Sequence, residues 1–317
     1  MEPLRILTGQ TASGKSTVAV RLAETMDAEL ISVDSIKVHR GLDIGTAKPS
    51  RAVRERVRFH LLDVVESGES FSLAGYLQMA RSAVEEIRAR GRRPLFVGGT
   101  PLYLRGLLYG VFEGPGADWA LREELKERAR REGPNALHDE LRRVDPVTAQ
   151  RLHPNDHVRI IRALEVARAT GRPISAHQRQ YPAPAPAVPY RMVALRREDA
   201  DLKSRIRKRV AKMFEAGLVD EVRRAAEGPG LSISARKAIG YQEVLRHLAG
   251  EMSLAETVAE VERNTWRLAR KQRGWLKSFP GVMWLDVTEQ DEVESVVERA
   301  RRLLFDTDAG AEAVAAQ

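Results

Sequence analysis

The chain contains no cysteine. That excludes disulfides and any thiolate metal site, and it fits an expected cytoplasmic location. No apolar run reaches the ~18 residues that a membrane helix needs. The opening MEPLRILTG has no basic-then-apolar leader and runs straight into a predicted strand. No internal repeat is present. With these classes set aside, a hydrophobic content of 43% and a charged content of 30% describe a soluble chain able to bury a core. At 317 residues it is long enough for one large domain or two.

Lys plus Arg number 52 against 44 Asp plus Glu, a formal charge of +8. A positive chain attracts phosphate-rich partners, but net charge alone equally describes solubility. Where the charge sits matters more.

Short β-branched and apolar runs recur: RILTG (5–9), LISVDS (30–35), FHLLDVV (59–65), PLFVGG (94–99), RMVALRR (191–197) and VMWLDV (282–287). Helical patterns separate them, as from Lys15 to Met26 and from Leu73 to Arg90. This alternation predicts an α/β fold, a parallel sheet with helices on both faces. Residues 114–188 differ. GPGADWALREELKERARREG reads as turn then charged helix, and NDHVRIIRALEVARATG as a helix capped by Asn155 or Asp156 and stopped at Gly171. The segment closes on the Pro-rich YPAPAPAVPY. The expected organisation is a core of 1–113 and 189–305, a helical insertion of 114–188, and a frayed tail of 306–317.

GQTASGKS, residues 9–16, matches the phosphate loop G-x-x-x-x-G-K-[ST] between a strand and an amphipathic helix. Gly9, Gln10, Thr11, Ala12, Ser13 and Gly14 would curl their amides around phosphate, Lys15 adds a point charge, and Ser16 is the candidate Mg²⁺ ligand. The bland alternative is a Gly-rich turn. A second carboxylate at a strand end has three candidates, Asp34, Asp63 and Asp286. Spacing does not choose among them. No adenine or guanine specificity motif is evident, a first hint that the ligand is not a nucleoside triphosphate. In open parallel sheets ligands bind at the carboxyl ends of strands, which places Asp34, Ser35 and Thr100 beside the loop. Asp34 there could be a general base, a Mg²⁺ ligand or a helix cap.

Taken together, GQTASGKS, ISVDS, DIGTAK (43–48), GGTPLY (98–103), RLHPND (151–156) and RKAIGY (236–241) resemble, in that order, the tRNA dimethylallyltransferases, over about residues 5–290. The resemblance implies a P-loop NTPase-like core with a helical insertion. It implies transfer of a dimethylallyl group from dimethylallyl diphosphate to N6 of adenosine 37, 3′ of the anticodon of tRNA, with Mg²⁺. Asp34 matches the family's base, with Lys15 and Thr100 beside it. Thr11 to Ser16 match donor-phosphate contacts. Contact with tRNA is implied for Asp34, Ser35, Ile36 and Lys37, for Thr100 and Arg122, and for Val158, Arg159, Ile160, Ile161 and Arg162. It is also implied for Arg236, Lys237, Gly240 and Tyr241.

Two acid-free basic stretches, 202–212 and 265–277, fit that reading. Residues 202–212 hold six basic side chains, with Leu202, Ile206, Val210, Met213 and Phe214 on one face. Arg205 and Arg209 lie one turn apart, and the family uses arginines of this helix on the diphosphate. A solvated face is the alternative. The helix 254–277 has a packing stripe of Leu254, Val258, Val261, Thr265, Leu268, Gln272 and Trp275. Opposite lie Arg263, Arg267, Arg270, Arg273, Trp266 and Lys277. RKQRGWLK (270–277) departs from the family's KRQxTWxR: Gly274 replaces Thr, while the resemblance implies tRNA contact for Arg270, Lys271, Gln272, Arg273, Trp275 and Lys277. His39 and Phe59 stand where the family often has Tyr and His, and receive no role. His153 and His157 flank PND, but capping explains that cluster and no zinc is assigned. The competing reading is a small-molecule kinase using ATP; a nucleotide switch and a prenyltransferase acting on free nucleotides are weaker. A monomer is expected.

Overall fold

The structure is a computed structural model and describes residues 2–110, 114–133, 135–179 and 186–306. Residues 181–185 of the Pro-rich stretch and 307–317 of the expected tail lie outside the described residues. Six strands form one sheet: β1 (Leu4–Gly9), β2 (Ala28–Val33), β3 (Phe59–His60), β4 (Arg93–Gly98), β5 (Tyr190–Arg196) and β6 (Val282–Asp286). Their order is β3-β2-β4-β1-β5-β6, and every pairing is parallel.

The helices, in chain order, are α1 (Lys15–Met26), α2 (Arg51–Arg56), α3 (Leu73–Ala89), α4 (Pro101–Tyr109), α5 (Trp119–Glu132), α6 (Ala136–Val144), α7 (Pro146–Arg151) and α8 (His157–Thr170). They continue as α9 (Ile174–Arg179), α10 (Asp199–Glu215), α11 (Leu218–Glu227), α12 (Ile233–Arg236), α13 (Tyr241–Leu248), α14 (Leu254–Leu276) and α15 (Val293–Phe305). The chain divides into two compact units, Met1–Leu108 with Ala187–Gln317, and Tyr109–Pro186. No helix among the described residues is long and apolar enough to cross a membrane.

In the first unit β2 is buried along its whole length, as a central parallel strand covered on both faces must be. Leu7, Leu22, Leu30, Leu95, Val193 and Leu285 join α1 and α15 in one apolar core. From β1 the chain crosses to β2 on one side, and it later reaches β5 on the other. The loop after β1 therefore lies where the strand order reverses, the usual ligand position in such sheets.

The expected strand 59–65 is corrected to two residues. Leu61 and Asp63 take left-handed backbone (φ 60° and 56°), which ends the ladder. Asp63 is held there by Lys48 and Arg54. Lys48, its side chain fully buried, also meets Asp43 at 2.8 Å and the carbonyl of His39 at 2.5 Å.

The packing stripe of α14 is also corrected. The buried positions are Thr257, Val261, Thr265, Ala269, Gln272 and Leu276, whereas Leu254 and Leu268 are exposed. The helix opens on a capping box from Ser253 and Glu256 and runs through Gly274 without a break. Gly274 is exposed and a Cβ there would meet nothing within 4 Å. Gly274→Ala is expected to raise stability by roughly 0.5–1 kcal/mol, read as a higher urea midpoint at unchanged slope.

The second unit packs α5, α6, α7 and α8 around Leu125, Leu137, Leu141, Ile160 and Leu164. Asp118, Asp145 and Asp156 cap α5, α7 and α8, and Gly171 ends α8 in left-handed geometry. Its electrostatic centre is Glu165, which is 1% exposed. Glu165 accepts two hydrogen bonds from Arg122 (2.8 and 2.9 Å), one from Arg162 and one from the amide of Asp118. Burial raises its pKa, but these donors outweigh burial and hold it at about 2.

Candidate active site

The loop after β1 bends on backbone that few residues adopt. Gly9 has φ 139°, and a Cβ there would stand 2.6 Å from the Leu195 carbonyl oxygen, so β5 packs against it only as glycine. Ala12 (φ 62°) and Gly14 (φ 98°) continue the curl into the N-terminus of α1. The first amides of a helix lack intrahelical partners, so the loop presents donors and the positive end of the helix dipole to an anion.

Three arginines hold the loop from behind. Arg205 of α10 donates Nε–H to the Ala12 carbonyl (2.8 Å). Arg209, one turn on, reaches the Thr11 hydroxyl (3.4 Å). Arg197, only 9% exposed, donates Nε–H to the Ser13 carbonyl (2.9 Å) and is braced by Asp201 (2.6 Å) and the Thr288 carbonyl (3.1 Å). Sequence reasoning missed Arg197: it lies before the basic helix, in RMVALRR, and looks like a strand-end charge.

Across the cavity, Asp34 ends β2. Its Oδ1 accepts the amides of Ile36 (2.9 Å) and Lys37 (3.2 Å), a local turn cap. Its Oδ2 has no hydrogen-bond partner among the described residues. Thr100, at the end of β4, accepts the Ser35 amide on its hydroxyl (3.1 Å) and donates its own amide to the Val33 carbonyl (3.2 Å). Thr100 therefore fixes the Asp34 turn. Of the three strand-end carboxylates only Asp34 lines the cavity. Asp63 is taken by Lys48 and Arg54, and Asp286 pairs with Arg196.

The cavity measures about 1450 Å³. The phosphate loop, Asp34, the 43–48 loop, α10 and the inner face of α14 line it. Its charge is strongly positive. Lys15 folds back onto the Gln10 carbonyl (3.1 Å), and its pKa is pushed down to about 7, first by burial and then by Arg209 and Lys37, with Asp34 opposing. Lys37 is likewise lowered, by burial first, with Asp34 opposing. Burial lowers Arg209, and burial followed by Arg197 lowers Arg205. Such a cluster is built to receive a compensating anion.

A pH dependence follows with a definite sign. An anion seated beside Lys15 restores its charge, so binding above pH 7 requires proton uptake. Affinity for inorganic diphosphate is expected to fall by up to tenfold per pH unit above 7, relative to Lys15→Met, in which the ligand's own titration remains. Calorimetric titrations of the two proteins between pH 6 and 9 check this; parallel curves would contradict it.

Glu221 of α11 was also invisible in the sequence. Its buried carboxylate accepts the amides of Asp43 (2.8 Å), Ile44 (2.7 Å) and Gly45 (3.0 Å) and the Tyr241 hydroxyl (2.7 Å). This clasp holds the 43–48 loop against the cavity. Gly45 lies flat on the Tyr241 ring, where a Cβ would approach to 2.6 Å. An acid in an ordinary amphipathic helix carries no local signal of such a role.

Several residues expected to touch RNA are buried or already paired in this structure. Tyr241 is fully buried on Glu221 and Gln272 is 7% exposed, both on the wall of the cavity, and Ile160 and Ile161 belong to the core of the second unit. Ile36 packs against the cluster around Leu42 and Leu218. Arg122 and Arg162 are tied to Glu165, and Gly240 gives its amide to Glu243. Arg273 pairs with Asp199 (2.8 Å) and Trp275 lies edge-on to Phe279. By contrast Val158, Arg159, Arg236, Lys237, Arg270, Lys271 and Lys277 are exposed.

Fold and site together define an α/β protein whose loop of phosphate-loop sequence lies at the switch point of a parallel sheet, backed by arginines, with one carboxylate at the rim. Comparison with known proteins narrows the class. The model of the family described as IPP transferase matches residues 37–279. The chain is 45% identical to tRNA dimethylallyltransferase 1 of Pelobacter propionicus, over 90% of this chain and 93% of that protein. It is 45% identical to the tRNA dimethylallyltransferase of Geobacter sulfurreducens, over 89% and 91%. The solved tRNA isopentenylpyrophosphate transferase of Bacillus halodurans is 35% identical, with a TM-score of 0.70 over 100% of this chain and 99% of that one. The chain belongs to the IPP transferase family and is a transferase. The phosphate loop and Asp34 precede the span matched by the family model, so their roles rest on the geometry above.

Proposed function

We propose that this protein transfers a dimethylallyl group from dimethylallyl diphosphate to N6 of adenosine 37, 3′ of the anticodon, in tRNA. The observation that carries the reading is the placement of Asp34 Oδ2, without a partner, in one cavity with a phosphate loop ringed by Lys15, Arg205 and Arg209. Kinship with the transferases named above supports the substrate pair.

The donor's diphosphate lies on the amides of the loop. As the carbon–oxygen bond breaks, negative charge grows on the diphosphate, where Lys15, Arg209 and the end of α1 stabilise it. The N6–carbon bond forms on the other side of the allylic carbon. N6 is a weak nucleophile because its lone pair is delocalised into the ring, and Asp34 Oδ2 takes the proton that it loses. Thr100 keeps the Asp34 turn aimed. Val97, Val261, Leu268 and Ile239 give the cavity an apolar side for the alkyl chain. The adenine leaves the anticodon-loop stack to enter, and the exposed cations Arg270, Lys271 and Lys277 track the RNA backbone.

Mg²⁺ fits the residues present. The Ser16 hydroxyl is exposed and has no hydrogen-bond partner among the described residues. No group of three or more His, Asp or Glu side chains there is placed to hold a metal. The ion would therefore be held by Ser16, diphosphate oxygens and water, as Mg²⁺ usually is at phosphate sites. When bound, it neutralises charge on the departing diphosphate.

The protein is read as a cytoplasmic monomer. The test is labelled dimethylallyl diphosphate with Mg²⁺ and an unmodified anticodon stem-loop carrying adenosine or guanosine at position 37. Label is expected in the adenosine RNA alone. ATP turnover with a small acceptor, and no labelled RNA, would favour a kinase.

A further inference from the structure

Gln272, expected both in the packing stripe of α14 and in RNA contact, points inward and joins the two halves of the cavity. Its Oε1 accepts the Thr11 amide at 2.7 Å, and its Nε2 lies 3.5 Å from the Gly99 carbonyl oxygen as donor. Thr11 belongs to the phosphate loop. Gly99 precedes Thr100, whose hydroxyl holds the Ser35 amide next to Asp34. The contact is close: a Cβ on Gly99 would come within 3.0 Å of the Gln272 nitrogen. One turn earlier, the Ala269 carbonyl accepts Gln10 Nε2 (3.3 Å), so α14 grips two successive loop residues.

The chemistry of the position selects the side chain. One partner is an N–H and the other a carbonyl, so a neutral group must accept and donate at once. A side-chain amide does both; a carboxylate only accepts, and an apolar side chain does neither. Arg270 and Lys271, exposed on the same helical turn, face away from this bridge. One rigid turn thus carries cations on its outer face and the loop-to-loop bridge on its inner face.

We propose that Gln272 is a positioning residue that couples RNA on the outer face of α14 to the geometry of the phosphate loop and the Asp34 turn. This rests on the function proposed above. Binding on Arg270 and Lys271 biases the seating of the turn. Gln272 passes that bias to the Thr11 amide on one side and to Gly99, Thr100 and Asp34 on the other. Anion and RNA then strengthen each other's binding through a shared element.

The test measures affinity of the anticodon stem-loop with and without saturating inorganic diphosphate, for the wild type, Gln272→Met and Gln272→Glu. Methionine keeps length and helix propensity and loses both hydrogen bonds. Glutamate keeps only the acceptor and serves where the first variant fails to fold. The wild type is expected to bind RNA at least fivefold tighter with diphosphate. In the variants that ratio should fall to within twofold of unity, while RNA affinity without diphosphate stays within twofold of wild type. Single-turnover transfer should fall with both ligands saturating. A ratio unchanged in a folded variant, or no coupling in the wild type, overturns the proposal. The binding ratios do not depend on transfer, so a wild type that couples but prenylates nothing overturns the functional reading alone.

Discussion

Asp34→Asn is expected to slow single-turnover transfer by about 10²–10⁴, the range of a lost general base, and to leave diphosphate affinity equal or higher. Asparagine retains an oxygen for the amides of Ile36 and Lys37, so the turn survives. Oδ2 is lost as a proton acceptor. A negative charge also disappears from among Lys15, Lys37 and Arg209, each of which feels Asp34 as an opposing charge. That makes the cavity more positive and the anion better held. The alternative role, a Mg²⁺ ligand, predicts the reverse pattern. Donor affinity would then fall in step with rate, and extra Mg²⁺ would recover part of both. Rapid-quench transfer measured beside diphosphate titration separates the two.

The second large effect is expected at Arg209. Its guanidinium lies at the Thr11 hydroxyl, within the field of both Lys15 and Asp34. Arg205, by contrast, spends its Nε–H on the Ala12 carbonyl and stands beside Arg197. In the proposed reaction Arg209 is therefore the arginine placed for the departing charge, and Arg205 holds the loop in shape. Arg209→Ala should lower the transfer rate by about 10²–10³, the cost of one donor to developing negative charge, with a smaller loss in donor affinity. Arg209→Lys should recover only part, since a point charge does not replace a planar fork. Equal losses in rate and affinity would mean that Arg209 binds the ground state as tightly as the transition state.

Much of this architecture was legible where local pattern and tertiary demand agree. Helix α1 begins at Lys15 and ends at Met26 as its pattern predicts, because the loop glycines and the apolar face both act locally. Five of the six expected strands form over nearly their full length, since a buried parallel strand needs only a continuous apolar run. The failures share one cause. FHLLDVV has the composition of a strand, but Lys48 and Arg54, 15 and 9 residues earlier and outside the run itself, hold Asp63 in left-handed backbone. On α14, Thr257 and Ala269 are buried where the expected stripe had Leu254 and Leu268, whereas Thr265 and Gln272 are buried as that stripe placed them. Gln272 is inside because two loops supply its hydrogen bonds, and no window of sequence contains those loops.

The site divides in the same way. The phosphate loop was readable from its motif, and Asp34, Thr100, Arg205 and Arg209 from the family resemblance together with strand-end position and helical spacing; the structure brings them to one cavity. Arg197 and Glu221 were not, because each acts on backbone carbonyls or amides far away in the chain. Ile160, Ile161 and Tyr241, expected to touch RNA, are buried. A residue inside a contacting motif can serve as the support of its neighbours.

In the proposed reaction this phosphate loop stabilises a leaving group and transfers no phosphoryl group. Dimethylallyl diphosphate labelled on the allylic carbon and, separately, on the terminal phosphorus tests it in one reaction with unmodified tRNA. Carbon label is expected in the RNA, on the adenosine 3′ of the anticodon, with all phosphorus label released as diphosphate. Phosphorus label in the RNA, or carbon label confined to small molecules, would contradict it.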